Sequence, residues 1–517
     1  MALELKRLQN GSDIRGIALE GIENEHVNLG RAETEVLMKG FVRWLKDRTG
    51  LDPWEMRISV GHDPRLSSED LGEWAVEALR TEGVNVLDCG QASTPAMFMS
   101  TVFDEFKCDG AVMITASHLP WNRNGFKFFG REGGLDKKDI ASIIDYAEKL
   151  AEKAESETDS ALPPAVQVRG AADKVDLMGT YEAYLRTLII MGVQDPEDPD
   201  HPLKNLKIAV DAGNGGGGFF AKNILAPLGA DISGSVYLEP DGHFPNHRPN
   251  PEDKEAMKAI SKAVLDSGSD FGLIFDTDVD RSAAVDGKGK EIARNGIVAL
   301  AAALIAVDHP GTTVVTDSIT SDELTEYLTE CLGLKHLRFK RGYRNVINKA
   351  IDLNLEGIDS QLAIETSGHA AYRENFWLDD GAYLAAKIVI KAAQLKRSGA
   401  SISDMISSLK EPLEAMEVRL PVEGREPGLY ADQVLAGLKV WVKYKEESGL
   451  GISLVEPNYE GVRINFRLEG LKGWCLLRRS LHEPLMPLNI EVTEGKCETI
   501  LQIMAAFLED YPRIRMN

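Results

Sequence analysis

FGLIFDTDVDR, residues 271–281, runs five residues of strongly apolar character straight into Asp276, Asp278, Asp280 and Arg281. A short run of that composition reads as a strand buried on both faces, so the acidic loop behind it falls at the carboxyl edge of a sheet. In open α/β sheets that edge is where ligands bind. The same grammar occurs twice more. GAVMITASHLP, residues 110–120, delivers Ser117 and His118, and LAIETSGH, residues 362–369, delivers Glu365, Ser367 and His369. A nucleophile, a carboxylate cage and a hydrogen-bonding loop at three equivalent places predict one shared site built by three similar domains.

Each of these units has an earlier companion strand ending in an aspartate: RISVGHDPR with Asp63, LKIAVDAGNGGGG with Asp211 and TTVVTDSIT with Asp317. Gaps of 54, 65 and 48 positions separate the companions from Ser117, Asp276 and Glu365, enough for a crossover and the next parallel strand. SSEDLGEWAVEALRTEG, NPEDKEAMKAISKAVLDSG and SDELTEYLTECLG have the periodicity of crossover helices. AEKAESETDSALPPAVQVRGAAD, residues 151–173, is polar and aperiodic and reads as a surface connection between the first two domains. LKRSGASISDMISSLKEP closes the third, after which EGVRINFRLEG and LLRRSLHEPLMPLNIEVT read as strands and ETILQIMAAFLEDY as a final helix. The expected fold class is α/β: three similar domains with mainly parallel mixed sheets over 1–172, 173–290 and 291–408, and a smaller α+β domain over 409–517.

A chain of 517 residues exceeds what one core organises, in keeping with several domains. Its 58 Lys and Arg against 81 Asp and Glu give a net charge of −23 and argue against a nucleic-acid partner, which needs clustered positive charge. An anionic substrate must then be drawn in by a local basic patch. The five cysteines, Cys89, Cys108, Cys331, Cys475 and Cys497, are scattered, odd in number and never spaced as metal ligands, so reduced, buried thiols inside the cell are expected. MALELKRLQNGSDIRG has neither the apolar core of a signal peptide nor the bias of a transit peptide. GIVALAAALIAV is too short to span a bilayer and reads as a buried helix, so no membrane partner is expected.

Ser117 alone could cap a following helix. Beside His118, with Lys127 ten positions on, it instead suits a phosphorylated hydroxyl next to a proton-transfer group. Three carboxylates at i, i+2 and i+4 in an extended loop can converge on one hard cation, and oxygen-only ligation favours Mg²⁺. An EF-hand reading fails, because its sixth and twelfth positions would be Arg281 and Gly287. A phosphatase with Asp276 as nucleophile and Asp278 as acid/base stays open, though it leaves the serine loop without work. So does a merely solvated acidic loop. Glu365, Ser367 and His369 present an acceptor, a hydroxyl and an imidazole suited to sugar hydroxyls. In isolation ETSGH would be an ordinary turn. RRSLHEP, residues 478–484, offers Arg478, Ser480, His482 and backbone amides for an anion, or is a plain basic loop. GNGGGG, residues 213–218, fits neither nucleotide-loop spacing and reads as a tight turn.

Together these strings resemble the α-D-phosphohexomutase family, of phosphoglucomutase/phosphomannomutase type, nearly end to end. The resemblance rests on Asp13 to Gly16 as the opening Asp-Ile-Arg-Gly, on Ser117, His118 and Asn124 to Lys127, on Asp276 to Arg281, and on Glu365 to His369. The fourth-domain loop departs from the family's Arg-Pro-Ser-Gly-Thr-Glu-Pro, with Leu481 for Gly and His482 for Thr. Leu-Pro-Trp follows Ser-His in place of Asn-Pro-Pro, and RGYRNVI puts Tyr343 and Arg344 where relatives often carry His or Lys. ENFWLDDGAY and GWCLLRRSLHEPLMPLNIE resemble a branch found in photosynthetic organisms.

The resemblance implies a heart-shaped arrangement around a central cleft. It also implies interconversion of hexose 1-phosphate and 6-phosphate, of glucose or mannose, through phosphorylated Ser117 and a hexose 1,6-bisphosphate intermediate. Mg²⁺ is expected on Ser117, Asp276, Asp278 and Asp280, with Arg281 offsetting charge and Lys127, or else His118, moving the hydroxyl proton. A cationic neighbour such as Arg15 is expected to depress Lys127. Glu365, Ser367, His369, Tyr343 and Arg344 are expected on the sugar, and Arg478, Ser480 and His482 on its distal phosphate. The alternatives are a phosphoglucosamine mutase, a Mg²⁺-dependent sugar phosphatase, or a sugar-phosphate-binding protein with little activity. A cytoplasmic monomer or homodimer is expected, or a plastid stromal protein if a presequence has been removed.

Overall fold

The computed structural model describes residues 3–157, 169–480 and 483–515. It divides into two compact units, one of Met1–Leu304 with Ser367–Met405 and one of Ile305–Thr366 with Ile406–Asn517. The architecture is mixed α/β, with the parallel pairs that the sequence predicts.

In the first unit the largest sheet is built around Arg57–His62, which pairs in parallel with both Asn85–Gln91 and Gly110–Ile114. Arg123–Gly130 then turns back antiparallel beside Gly110–Ile114, and Asp13–Ile17 joins its far side. Val112, Ile114, Phe126 and Phe128 point into a core closed by the helices Arg31–Thr49, Ser68–Thr81 and Lys137–Glu157. Phe41 packs on Phe128 with ring centroids 4.8 Å apart. The first and last of these helices approach closely at Gly40, where an added Cβ would lie 2.4 Å from the Ile143 carbonyl oxygen. A second sheet pairs Phe271–Phe275 in parallel with Ile208–Asp211 and antiparallel with Ser282–Asp286. Its helix Lys254–Ser267 starts where the Asp253 side chain accepts from the Glu255 and Ala256 amides, and stops at left-handed Gly268.

In the second unit Thr313–Thr316 lies between Lys335–Arg338 and Ser360–Ile364, parallel to both. Thus each companion strand is the direct parallel neighbour of the strand that delivers its functional loop. Parallel neighbours need a crossover, which is why the two members of each pair stand so far apart in sequence. The same unit holds an antiparallel sheet of Glu414–Pro421, Leu485–Glu494, Leu471–Leu477, Val462–Leu468 and Ile452–Leu454. Alternation puts Val462, Ile464 and Phe466 into a core with Leu438, Val442, Met504 and Phe507 of the helices Pro427–Glu447 and Cys497–Leu508.

Several expectations need correction. The first helical residues of the expected 151–173 connection belong to the Lys137–Glu157 helix, because Ala, Glu and Lys are strong helix formers. At its other end Ala172–Lys174 adds a parallel strand beside Asn85–Gln91; residues 158–168 lie outside the described residues. SDELTEYLTECLG starts as the helix Asp322–Glu326 and widens into a π turn over Tyr327–Cys331. LLRRSLHEPLMPLNIEVT is two strands rather than one, Leu471–Leu477 ending before Arg478 and Leu485–Glu494 beginning after Pro484. Cys331 is exposed, while the other four thiols are buried and none is bridged. Among the described residues, no helix is long and apolar enough to cross a membrane.

Candidate active site

The Gly110–Ile114 strand is buried along its whole length, so the chain leaves the sheet already inside the protein. Ser117 follows at φ 49°, a left-handed conformation that a residue with a Cβ adopts only under constraint. No helix follows it, and the next element is the Arg123–Gly130 strand, so the capping role is not its role. Its Oγ donates to Asp276 Oδ2 at 3.0 Å and accepts from Arg281 Nη2 at 2.9 Å.

Asp276, Asp278 and Asp280 follow the equally buried Phe271–Phe275 strand, and one oxygen of each lies within 4.8 Å of the others. Lys127 Nζ donates to Asp278 Oδ2 at 2.9 Å and also to Asp280 Oδ2. Both of these acceptors are carboxylates of the acidic loop. Arg15, on the strand beside that of Lys127, donates to Asp13 Oδ2 at 2.7 Å and to the Thr115 carbonyl. Arg281 donates from Nε to Asp276 Oδ2 at 2.9 Å and from Nη1 to Asn250 Oδ1 at 3.1 Å. The Thr94 hydroxyl donates to Asp278 Oδ2.

Three fully buried carboxylates face Lys127 and Arg281, with His369 Nδ1 3.9 Å from Asp280 Oδ1. Burial and then the neighbouring Asp280 hold the Asp276 carboxyl well above its ordinary range. Burial opposes ionisation of Asp278 and Asp280 as well, but Lys127 outweighs it, and both are held below the ordinary range. Oδ1 of Asp278 and Oδ1 of Asp280 are buried without a hydrogen-bond partner among the described residues. Carboxylate oxygens without hydrogen-bond partners and an oxygen-only donor set fit a hard divalent cation.

His118 is held neutral: burial, then Arg281 and Arg15, push it down to about 2. Its Nδ1 therefore accepts from Arg281 Nη2, at 2.8 Å. His369 behaves oppositely. Burial opposes its charge, but Asp379 and Asp280 outweigh that and push it up to about 9, with Nδ1 2.5 Å from Asp379 Oδ2. The neighbouring Ser367 Oγ is buried with no hydrogen-bond partner among the described residues.

The remaining expected residues fall in the second unit. Glu365 Oε1 accepts from the Gly342 amide at 2.7 Å, at the start of the Tyr343–Leu355 helix that also carries Arg344. Thr366 donates its hydroxyl at 2.7 Å and its amide at 3.1 Å to Asp317 Oδ2. Arg478 is buried, and burial, then the charge of Arg341, lowers its pKa. Ser480 Oγ accepts from the Glu483 amide at 3.3 Å. His482 and Leu481 lie outside the described residues. Sequence reasoning passed over Thr94, Asn250, Arg65 and Arg341. Asn250 and Arg65 stood in stretches already quoted, but a polar residue in a loop announces no partner until the loop is placed.

Residues 6–154, 193–289 and 294–412 match the family descriptions "Phosphoglucomutase/phosphomannomutase, alpha/beta/alpha domain" I, II and III respectively. The chain is 30% identical over 436 residues to the "Phosphohexose mutases" of Xanthomonas campestris pv. campestris strain B100, covering 84% of this chain and 87% of that one. It is 27% identical over 457 residues to a "Phosphomannomutase/phosphoglucomutase" of Pseudomonas syringae pv. tomato, covering 88% and 87%. A crystal structure of a phosphoglucomutase/phosphomannomutase family protein from Burkholderia thailandensis shares the fold with a TM-score of 0.77, at 23% identity, over 98% of this chain and 97% of the other.

Proposed function

Because the chain belongs to the phosphoglucomutase/phosphomannomutase family, we propose that it interconverts hexose 1-phosphate and hexose 6-phosphate, with glucose or mannose as the sugar. The reading is carried by one observation: the Ser117 hydroxyl sits within hydrogen-bond distance of both Asp276 and Arg281, at the mouth of a carboxylate cage.

In this reading phosphorylated Ser117 is the resting donor. A free hydroxyl of the bound hexose monophosphate attacks the phosphorus, the bond from phosphorus to Ser117 Oγ breaks, and a bond from phosphorus to the sugar oxygen forms. Lys127, once it has given up its own proton, takes the proton that the sugar hydroxyl releases, and that proton then passes to Ser117 Oγ or to solvent. The product is a hexose 1,6-bisphosphate. After the sugar turns around, Ser117 Oγ attacks the other phosphoryl group, so that the phosphate removed is not the one that was added. Arg281 sits where negative charge gathers on the transferring group, which is where phosphoryl transfer most needs help. Asp276, Asp278 and Asp280 would hold Mg²⁺ together with the phosphoryl group on Ser117; bound there, the ion supplies charge neutralisation to that group.

His118 is suited to orient Arg281 rather than to move protons, since its Nδ1 lone pair is taken. Ser367 and His369, with Glu365, Tyr343 and Arg344 of the second unit, are assigned to sugar hydroxyls. Arg478 and Ser480, with His482, are assigned to the distal phosphate. Domain limits near 172, 290 and 408 remain part of the proposal.

The deciding experiment incubates glucose 1-phosphate with Mg²⁺ and a trace of glucose 1,6-bisphosphate and follows both 6-phosphate and free phosphate. The 6-phosphate should appear without free phosphate, and Ser117→Ala should lose it by several orders of magnitude. Free phosphate that persists in Ser117→Ala would replace this reading with an Asp276-dependent phosphatase.

A further inference from the structure

We propose that Arg65 is the positioning residue of the Ser117 loop, a buried guanidinium that fixes the loop's carbonyls and thereby aims the Ser117 hydroxyl at the carboxylate cage. This rests on the reading of Ser117 as the phosphoryl carrier.

Residues 115–122 lie between two strands and belong to no ladder, so their carbonyls need other donors. One side chain supplies three of them, and also binds the carbonyl of Arg123, where the next strand starts. Arg65 Nη1 donates to the carbonyls of Pro120 at 2.9 Å and Arg123 at 3.2 Å. Its Nη2 donates to the carbonyl of Leu119 at 2.9 Å and to that of Ser117 itself. Nε takes the remaining donor to Asp63 Oδ2 at 3.0 Å. A guanidinium has five N–H groups in a rigid fork, and this arrangement uses all five.

The fork is itself held in place. Asp63 is fully buried at the end of its strand, and its Oδ1 accepts from the Arg65 amide at 3.0 Å and the Ser68 hydroxyl at 2.8 Å. Asn124, where the loop rejoins the sheet, donates to the hydroxyls of Ser67 and Ser68, both at 3.0 Å. The stretch from Asp63 to Ser68 therefore grips both the middle and the base of the loop.

Positioning follows from what is pinned at Ser117. Its amide donates to the Thr115 hydroxyl at 2.8 Å, and its carbonyl is tied to Arg65, so the peptides on both sides are fixed. With those planes fixed and φ at 49°, the direction of the Cα–Cβ bond is determined, and only rotation about it remains. A buried ion pair is weak grounds for stability, because desolvation offsets the attraction. Conformational specificity is what this one supplies. Lysine could not replace it: three donors on a point charge cannot reach four carbonyls and a carboxylate at once.

The test compares wild type, Arg65→Lys and Arg65→Met for kcat and KM with glucose 1-phosphate, for phosphate on the Ser117 peptide by mass analysis, and for the thermal midpoint. A loop that has lost its aim by about an ångström should cost kcat roughly 100-fold. The KM should be unchanged, and Arg65→Lys should fold yet fail to rescue turnover. If Arg65→Met does not fold, Asp63→Asn, which keeps the guanidinium but frees it, should show the same loss of kcat. A wild-type kcat in folded Arg65→Lys, or a loss no larger than the loss of folded protein, overturns the positioning role. Absence of phosphate from the Ser117 peptide of active wild type overturns the reading beneath it, and the inference with it.

Discussion

Ser117 Oγ donates to Asp276 Oδ2 at 3.0 Å across 159 residues of sequence. The hydroxyl comes off one sheet and the carboxylate off another, and each sits just beyond a strand buried on both faces. Sequence distance is covered by crossover helices, while spatial distance is set by how two sheet edges meet. The chemistry expected of this chain depends on that meeting.

Thr94 offers a way to test the cage without removing a carboxylate. Its hydroxyl donates to Asp278 Oδ2 and so fixes the orientation of that carboxylate. Thr94→Val keeps the shape and loses the donor. Outer partners of this kind are worth about 10–100-fold in metal affinity, so the Mg²⁺ concentration for half-maximal turnover should rise by that factor. Chelation should silence the wild type, with recovery on adding Mg²⁺.

Lys127 neutralises two buried carboxylates, from which a stability effect follows. Lys127→Met leaves Asp278 and Asp280 facing each other without that cation. Removing one partner of a buried pair costs about 3–5 kcal/mol. Mg²⁺ should therefore raise the melting temperature of the variant by more than it raises that of the wild type. Equal shifts in calorimetry would contradict a shared role of lysine and metal in balancing the same charge.

Asp380 gives a pH dependence opposite in sign to that of most carboxylates. Burial pushes it up to about 6, although the Tyr383 amide and the Tyr181 hydroxyl donate to it. A raised native pKa means that the folded form holds its proton where the unfolded chain has released it. The stabilisation is complete below the unfolded value near 3.8 and is lost as pH rises to about 6, after which the curve is flat. The loss is about 3 kcal/mol. Denaturant midpoints of wild type minus Asp380→Asn should fall between pH 4 and about 6.5, with no further change to pH 8.

In the second unit, Arg463 stacks with its guanidinium carbon 3.6 Å from the Trp474 ring centroid. It also donates to the Ser318 carbonyl at 3.1 Å and to Asp322 Oδ1 at 2.9 Å. Arg463→Leu keeps much of the volume and loses both donors and the stacked charge. A desolvated cation–π contact is worth about 2 kcal/mol and a hydrogen bond to a charged group about 1.5–3 kcal/mol. The variant's denaturant midpoint should fall accordingly, with the Trp474 emission shifting to the red as water reaches the ring.

Legibility in the sequence followed the range of the forces involved. The helices over Ser68–Thr81 and Lys254–Ser267 were readable because an amphipathic period is a local signal. The strands Gly110–Ile114 and Phe271–Phe275 were readable because burial on two faces leaves an unbroken apolar run, and Ser360–Ile364 by its last three residues. The connection at 151–173 misled at both ends: its polar composition resembles a linker, yet seven of its residues extend a helix and its last two open a strand. The carboxylate partners of Lys127 were not legible, for a different reason. A lysine in a strand says nothing about what faces it, and Asp278 stands 151 positions away.

The order of the motifs, the strands that carry them, and the residue types at each loop were determined by the sequence alone, since side-chain periodicity and turn chemistry act over a few residues. Tertiary structure decided which atoms meet: Ser117 with Asp276 and Arg281, Lys127 with Asp278 and Asp280, and one arginine with four carbonyls of a loop and the start of its strand. Those contacts arise where two sheets and their crossovers pack against each other, and charge pairing in a buried space depends on every group brought there at once.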